Sequence, residues 1–197
     1  MKIVNELLIT ALYTVFVQNL ILSSGLGLSE AIRVSTKPGM FGRFAVMVSG
    51  FSVAVSALCA LINTQPQFAQ TDFYARAAVY GCVLAAVYIV TAAVMRFIFR
   101  ASHKSMSVLG IAALNTLVLA VPFINNSAAY TFAGSIGSGI GAGIAFVLAA
   151  ALISKGSCAL SENESIPDVF KGTPALFFYV GLISLAFAGF SDSALFS

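Results

Sequence analysis

The stretch RFIFRASHK, residues 96–104, divides this chain into two long apolar halves. It carries three basic residues, which are Arg96, Arg100 and Lys104. Two further gaps between apolar runs are also basic; they hold Arg33, Lys37 and Arg43, and then Lys155 and Lys171. The gaps near Asn63 and Pro122 hold no basic residue. Alternating basic and non-basic gaps are typical of a polytopic membrane protein, because positively charged loops stay in the cytoplasm.

Composition supports the same class. Charged residues make up 9% of the chain and the mean hydropathy is +0.98. A soluble domain contains about 25% charged residues, so an ordinary soluble fold is excluded. A spanning helix needs about 20 apolar residues, and the chain is long enough for about six. The net charge of +3 lies mostly in the gaps, and no basic aromatic patch indicates nucleic-acid binding.

The sequence therefore predicts an all-α integral membrane protein with a single membrane domain of six transmembrane helices. No sustained period-two alternation indicates strands. The spans are predicted at residues 7–22, 40–62, 73–99, 107–121, 128–153 and 174–190. Span 4 is short and is predicted to stop at Pro122. Span 5 is predicted to be followed by a loop that contains Lys155 and Cys158. If the three basic gaps are cytoplasmic, both termini lie outside.

The basic stretch at 96–104 separates two repeats, at about 4–100 and 105–196. Each repeat opens with a short or interrupted helix that carries a similar stretch, NLIL at 19–22 and NTLVL at 115–119. Because each repeat has three spans, the two repeats are predicted to be inverted, with helices 1 and 4 broken. In transport proteins, paired interrupted helices mark a site near the membrane midplane.

Asn19 and Asn115 are polar amides in these apolar segments. They are candidates for an ion or solute path, in which they would hold a broken helix open. The alternative is ordinary hydrogen bonding between helices.

Span 5 carries a region of small residues. Gly137 and Gly141 form one G-x-x-x-G pair, and Gly139 and Gly143 form another. Such pairs allow a neighbouring helix to approach closely. Packing within the chain is predicted; contact with a partner subunit, or a thin wall near a cofactor, is the alternative.

No catalytic residue and no metal ligand is predicted. No segment offers a nucleophile with a base, or paired carboxylates at usable spacing. The three cysteines, Cys59, Cys82 and Cys158, form no C-x-x-C pair and have no metal-binding spacing.

Several stretches resemble a known family. They are FKG at 170–172 and GLISLAFAGFS at 181–191 near the C-terminus, QNLIL at 18–22 with LGL at 26–28, and LGI at 109–111 followed by Asn115. Over nearly its whole length the chain resembles the six-span membrane subunits of the Rnf and Nqr complexes, most closely the A-type Rnf and E-type Nqr subunit. The resemblance implies inverted repeats, outward termini, a prokaryotic cytoplasmic (inner) membrane, and electron transport coupled to ion transport.

The chain departs from this family at its cofactor. In the family, the loop of each broken helix carries one cysteine, and two paired subunits together hold a [2Fe–2S] cluster. The resemblance places Ser29 and Thr116 at those positions; the second assignment assumes about five missing residues before Thr116. Such clusters need thiolate ligands. Cys59 and Cys82 belong to spans 2 and 3, away from both loops. The chain is therefore expected to be a divergent member without the iron–sulfur cysteines and without a cofactor.

The resemblance implies a cluster-less scaffold or ion-path subunit, at most a non-catalytic part of an oxidoreductase-driven ion pump. It would pair with a homologous six-span subunit or with itself in the lipid bilayer, and contact other Rnf/Nqr subunits. The main alternative is a stand-alone transporter of a small solute or ion on the same inverted-repeat fold. A third is a working redox subunit with unusual ligands.

Overall fold

The computed structural model of the chain describes residues 1–69 and 71–191, and within these ranges all regular structure is helical. The helices in chain order are α1 (Lys2–Phe16), α2 (Leu28–Ser35), α3 (Pro38–Asn63), α4 (Pro66–Ala69), α5 (Phe73–Phe97), α6 (His103–Ala113), α7 (Thr116–Ser127), α8 (Phe132–Glu162) and α9 (Thr173–Ser191). The prediction of an all-α membrane protein is confirmed at this level.

Among the residues that the structure describes, four helical stretches are long and apolar enough to cross a membrane. They are Gly39–Asn63, Phe73–Phe97, His103–Ser127 and Phe132–Glu162. The third of these consists of α6 and α7, which meet at a short interruption. Thr173–Gly189 forms a shorter apolar helix, and α1 is 15 residues long. Large apolar side chains such as Ile89 on α5 and Leu182 on α9 face outward, as they do on a surface in contact with lipid.

Helix α8 lies at the centre of the bundle and packs most extensively against α1 and α3. Its glycines make this possible on two faces. Toward α1, a side chain on Gly137 would overlap the carbonyl oxygen of Leu7, and a Cβ on Gly141 would lie 2.6 Å from the carbonyl oxygen of Ala11. The first G-x-x-x-G pair therefore brings the backbones of α8 and α1 together.

The second glycine pair faces α3. A Cβ on Gly139 would lie 2.9 Å from the carbonyl oxygen of Ser52, and one on Gly143 would overlap the side chain of Ser49. Because the two pairs lie on different faces of α8, the backbone of α8 can lie close to α1 on one face and to α3 on the other. Both neighbours belong to the first half of the chain, so α8 joins the two halves.

The prediction that span 4 stops at Pro122 is wrong. Pro122 is buried inside α7, which continues to Ser127. Proline lacks an N–H, so its only direct effect on hydrogen bonding is to leave the carbonyl of Val118 without the usual helical donor. Helices buried in a membrane bundle tolerate such a loss. The real interruption lies earlier, at Leu114 and Asn115.

Span 5 is longer than predicted, and the loop assigned to Lys155 and Cys158 is helical. Helix α8 runs to Glu162 because residues 154–162 contain no proline, and the polar residues that end the apolar run do not by themselves end a helix. Gly156 does not end the helix; it leaves space for the ring of Tyr179 on α9, whose hydroxyl donates to the carbonyl of Leu152 at 3.2 Å. Span 1 also differs, since α1 begins at Lys2 and ends at Phe16.

Replacing Gly139 by leucine should lower the stability of the bundle. A side chain there has no space next to Ser52, and overpacking typically costs about 1–3 kcal/mol. Thermal unfolding of the detergent-solubilised protein measures the effect. Gly81→Leu on α5 is the matched control, because no atom lies within 4 Å of its Cβ position. Equal melting temperatures for the two variants would contradict close packing of α8 against α3.

Candidate functional site at the two helix breaks

The first break follows α1, which ends at Phe16, and precedes α2, which begins at Leu28. Asn19 lies in this break and is fully buried. Its Nδ2 donates to the carbonyl of Val15 at 2.9 Å, and its Oδ1 accepts from the backbone N–H of Leu22 at 3.1 Å. One side chain therefore satisfies the carbonyl end of α1 and an amide of the following turn, as buried backbone groups require.

The same break contains two glycines in the left-handed region. Gly25 has φ +72° and Gly27 has φ +77°. A side chain is strained in this conformation, whereas glycine adopts it freely. Gly27 immediately precedes α2, so this backbone geometry turns the chain from the break into the next helix.

The second break lies between α6, which ends at Ala113, and α7, which begins at Thr116. Asn115 has an extended backbone and is the N-cap of α7. Its Oδ1 accepts from the backbone N–H of Leu117 at 2.9 Å, and the residue is only 1% exposed. Asparagine is among the best N-cap residues because its side chain satisfies one of the free amides of the first turn.

The two breaks touch each other. The backbone N–H of Gly27 donates to Oγ1 of Thr116 at 2.9 Å. A Cβ on Gly27 would lie 2.7 Å from Oδ1 of Asn115 and 3.1 Å from Cβ of Leu117. The turn of the first break is therefore seated on the cap of the second, and glycine is needed there for space as well as for its backbone conformation.

Two buried polar atoms at the breaks have no hydrogen-bond partner within the described part of the chain. One is the donor Nδ2 of Asn115, and the other is the acceptor Oε1 of Gln18, which lies next to Asn19. Buried amide groups normally find a partner. Neutral groups of this kind can bind a water molecule or a small ligand, but they supply no nucleophile, acid or base.

The resemblance assigns Ser29 and Thr116 to the family's cysteine positions, and the structure places these two hydroxyls in different settings. Ser29 is exposed in the first turn of α2. Thr116 is the first residue of α7, and its hydroxyl already accepts from Gly27. Neither group fits a cluster that is held by thiolates. Within residues 1–69 and 71–191, no three His, Cys, Asp or Glu side chains are grouped closely enough to hold a metal ion.

The cysteines lie elsewhere. Cys59 is buried in the core on α3, Cys82 is exposed on α5, and Cys158 is exposed near the end of α8. They are therefore distributed over three helices, none of which contains a break.

A second polar cluster was missed by the sequence analysis. Nδ2 of Asn125 on α7 donates to Oγ of Ser56 on α3 at 2.5 Å, and Ser56 donates to the carbonyl of Ser135 on α8 at 2.6 Å. Because span 4 was predicted to stop at Pro122, Asn125 was assigned to a turn and not to a helix inside the bundle. The signal that could have revealed the cluster is the hydroxyl of Ser56 within an apolar helix, because polar side chains inside a membrane bundle bond to neighbouring helices. Such bonds link transmembrane helices.

Together, the apolar spans and the two interrupted helices that meet inside the bundle define a polytopic membrane protein with internal helix breaks. A family profile described as "Rnf-Nqr subunit, membrane protein" matches residues 7–193. The chain belongs to the Rnf-Nqr subunit family, which confirms the resemblance in its sequence.

Individual relatives cover almost the whole chain. The A subunit of the ion-translocating oxidoreductase complex of Shewanella baltica is 30% identical over 95% of this chain and 97% of its own length. The protein of the same description from Rhodobacter capsulatus is 28% identical over 94% and 96%. The A subunit of the Na(+)-translocating ferredoxin:NAD(+) oxidoreductase complex of Acetobacterium woodii is 28% identical over 92% and 94%.

Gly27→Ala should destabilise the protein more than Gly25→Ala. Both variants place a side chain at positive φ, which costs about 1–2 kcal/mol. Only at Gly27 does the new methyl group also collide with the Asn115 cap, since no atom lies within 4 Å of the Cβ position of Gly25. Thermal unfolding in detergent compares the two. An equal loss of stability in the two variants would contradict the close contact between Gly27 and the Asn115 side chain.

Proposed function

We propose that this chain is a membrane subunit of an ion-translocating electron transport assembly of the Rnf/Nqr type, in which it supplies a scaffold or part of the ion path and carries no electrons. Its family membership supports the assembly, because its relatives are named as subunits of ion-translocating oxidoreductase complexes. The observation that supports the second part is the hydrogen bond from Gly27 to Thr116. It gives a structural role to a hydroxyl at the position to which the resemblance assigns an iron ligand.

The fold that we propose has six spans in two inverted repeats. The first repeat would consist of α1 with α2, α3 and α5, and the second of α6 with α7, α8 and α9. Each repeat then opens with its broken helix, and the contact between Gly27 and Thr116 brings the two breaks together. This arrangement is typical of proteins that move ions near the membrane midplane. Asn19 and Asn115 remain our candidates for the ion path.

We propose that both termini lie outside the cytoplasmic (inner) membrane of a prokaryote. The basic residues at and beside the junctions of α2 with α3 and of α5 with α6 support this orientation. A reporter fused at Lys104 should give a cytoplasmic signal, and one fused at Ser197, which lies outside the described residues, should give an external one. A cytoplasmic signal at Ser197 would overturn the topology.

Affinity purification from native membranes tests the assembly. The chain should co-purify with a homologous six-span subunit, or with a second copy of itself, and with flavin-bearing Rnf/Nqr subunits. A parallel purification of an unrelated polytopic protein from the same membranes controls for nonspecific co-purification of membrane proteins. Recovery of this chain without any such subunit would contradict the proposal.

Iron analysis tests the absence of an electron carrier. The chain purified anaerobically should contain no stoichiometric iron and give no [2Fe–2S] signal in electron paramagnetic resonance after reduction, because hydroxyls replace the thiolates. The double variant Ser29→Cys/Thr116→Cys is the comparison, since a self-paired chain would then present four thiolates. Stoichiometric iron in the unaltered chain that is lost on Cys59→Ala or Cys82→Ala would show that the ligands lie elsewhere.

The second candidate is a stand-alone transporter of a small solute or ion. Its specific support is the buried donor of Asn115 and the buried acceptor of Gln18, which have no partner in the described part of the chain and could contact a ligand at the breaks. Co-purification separates the two candidates, because a stand-alone transporter needs no redox subunit.

A further inference from the structure

A basic cleft lies where the start of α3 faces the start of α6. Its volume is about 230 Å³. From the α3 side it is lined by Gly39, Met40, Arg43 and Met47, and from the α6 side by Ser102, Lys104, Ser105 and Val108. Two cations and two hydroxyls therefore face the same space as several apolar side chains.

The cations of this cleft have no counter-ion among the described residues. The sequence contains no Asp or Glu from residue 31 to 71, or from 73 to 161. Neither Arg43 nor Lys104 forms an ion pair with any residue that the structure describes. A small neighbouring cavity shares Met40 and Val108 with the cleft and adds two more cations, Arg33 and Lys37. The site is thus strongly positive, and an anion would neutralise it.

The first turn of α6 adds to the positive electrostatic potential of the cleft. Ser102 is its N-cap, and neither its hydroxyl nor that of Ser105 caps a backbone amide; the two hydroxyl oxygens lie 3.4 Å apart. The N-terminus of an α-helix carries partial positive charge and free N–H groups. Hydroxyl donors, helix amides and two cations together suit a phosphate group.

An apolar groove continues from the cleft along the bundle. Its volume is about 300 Å³, and Met47 lines both spaces. The groove lies between α3 and α5 and is lined by Met47, Gly50, Ala54, Val87, Met95 and Leu109, among others. Its one hydroxyl, that of Thr91, donates to the carbonyl of Val87 at 2.7 Å and is thereby satisfied. The side chains of the groove can therefore make only apolar contacts, of the kind that a hydrocarbon chain makes.

We propose that the cleft and the groove form a binding site for a phospholipid with an anionic headgroup. The phosphate lies between Arg43 and Lys104 at the start of α6, and an acyl chain follows Met47 into the groove beside Gly50. The order of chemistry along the surface, first basic and then apolar, matches the order of groups along a phospholipid. Basic pockets between transmembrane helices bind such headgroups.

Lipid titration monitored by native mass spectrometry tests the headgroup site on the full chain in detergent. Palmitoyl-oleoyl phosphatidylglycerol should bind more tightly than palmitoyl-oleoyl phosphatidylcholine. Arg43→Gln/Lys104→Gln should remove this preference and weaken phosphatidylglycerol binding about 25-fold, because each cation near a membrane surface contributes about fivefold. Lys155→Gln/Lys171→Gln removes the same charge elsewhere and should have little effect. Equal affinity for both lipids, or equal losses in the two double variants, would overturn the proposal.

The groove is tested separately. Gly50→Leu should fill it without a clash in the protein, because no atom lies within 4 Å of its Cβ position. The variant should therefore keep its melting temperature in lipid-free detergent but bind phosphatidylglycerol more weakly. Gly81→Leu, on the part of α5 that does not line the groove, should bind the lipid normally. Glycerol 3-phosphate, which has no acyl chain, should not displace the lipid. Unchanged lipid binding by Gly50→Leu, or cross-linking of this face to another protein chain in native membranes, would overturn the proposal.

Discussion

A helix can stop inside an apolar bundle only if the backbone groups that it frees find other partners. Each unsatisfied N–H or C=O in hydrocarbon costs several kcal/mol. This chain meets the constraint twice with an asparagine. Asn19 satisfies a carbonyl at the end of α1 and an amide of the following turn, and Asn115 satisfies an amide at the start of α7. The bond from Gly27 to Thr116 then fastens one break to the other.

The packing around α8 fixes the positions of the helices that flank these breaks. Its glycines bring α1 and α3 to backbone distance on two faces, and α2, which follows the first break, also contacts α8. The first break is therefore fixed by α8 through the helices on both of its sides. The cluster of Asn125, Ser56 and Ser135 ties α7, α3 and α8 together and so fixes the helix that follows the second break.

The sequence predicted those features that depend on local composition. The all-α membrane class followed from hydropathy, and the bounds of α3, α5 and α9 were close because each is a long apolar run with clear ends. Pro122 was misjudged because a helix buried in a bundle can continue past a proline. The end of α8 was misjudged because polar residues end an apolar run without ending the helix. The glycine pairs were visible in the sequence, but the helices that they contact were not, since partner choice is a tertiary property. The contact between Gly27 and Thr116 spans 89 positions, and no local pattern encodes it.

The hydroxyl of Thr116 has a structural role at the second break. A hydroxyl accepts a hydrogen bond well, whereas sulfur is a weak acceptor. Thr116 can therefore hold the turn of the first break by accepting from Gly27, so the two breaks are joined by atoms of this chain alone. Here the Asn115 amide also keeps a buried donor free within the described structure. The contact between the two broken helices thus uses only groups of this chain, and the buried donor of Asn115 remains available to a water molecule or a small ligand.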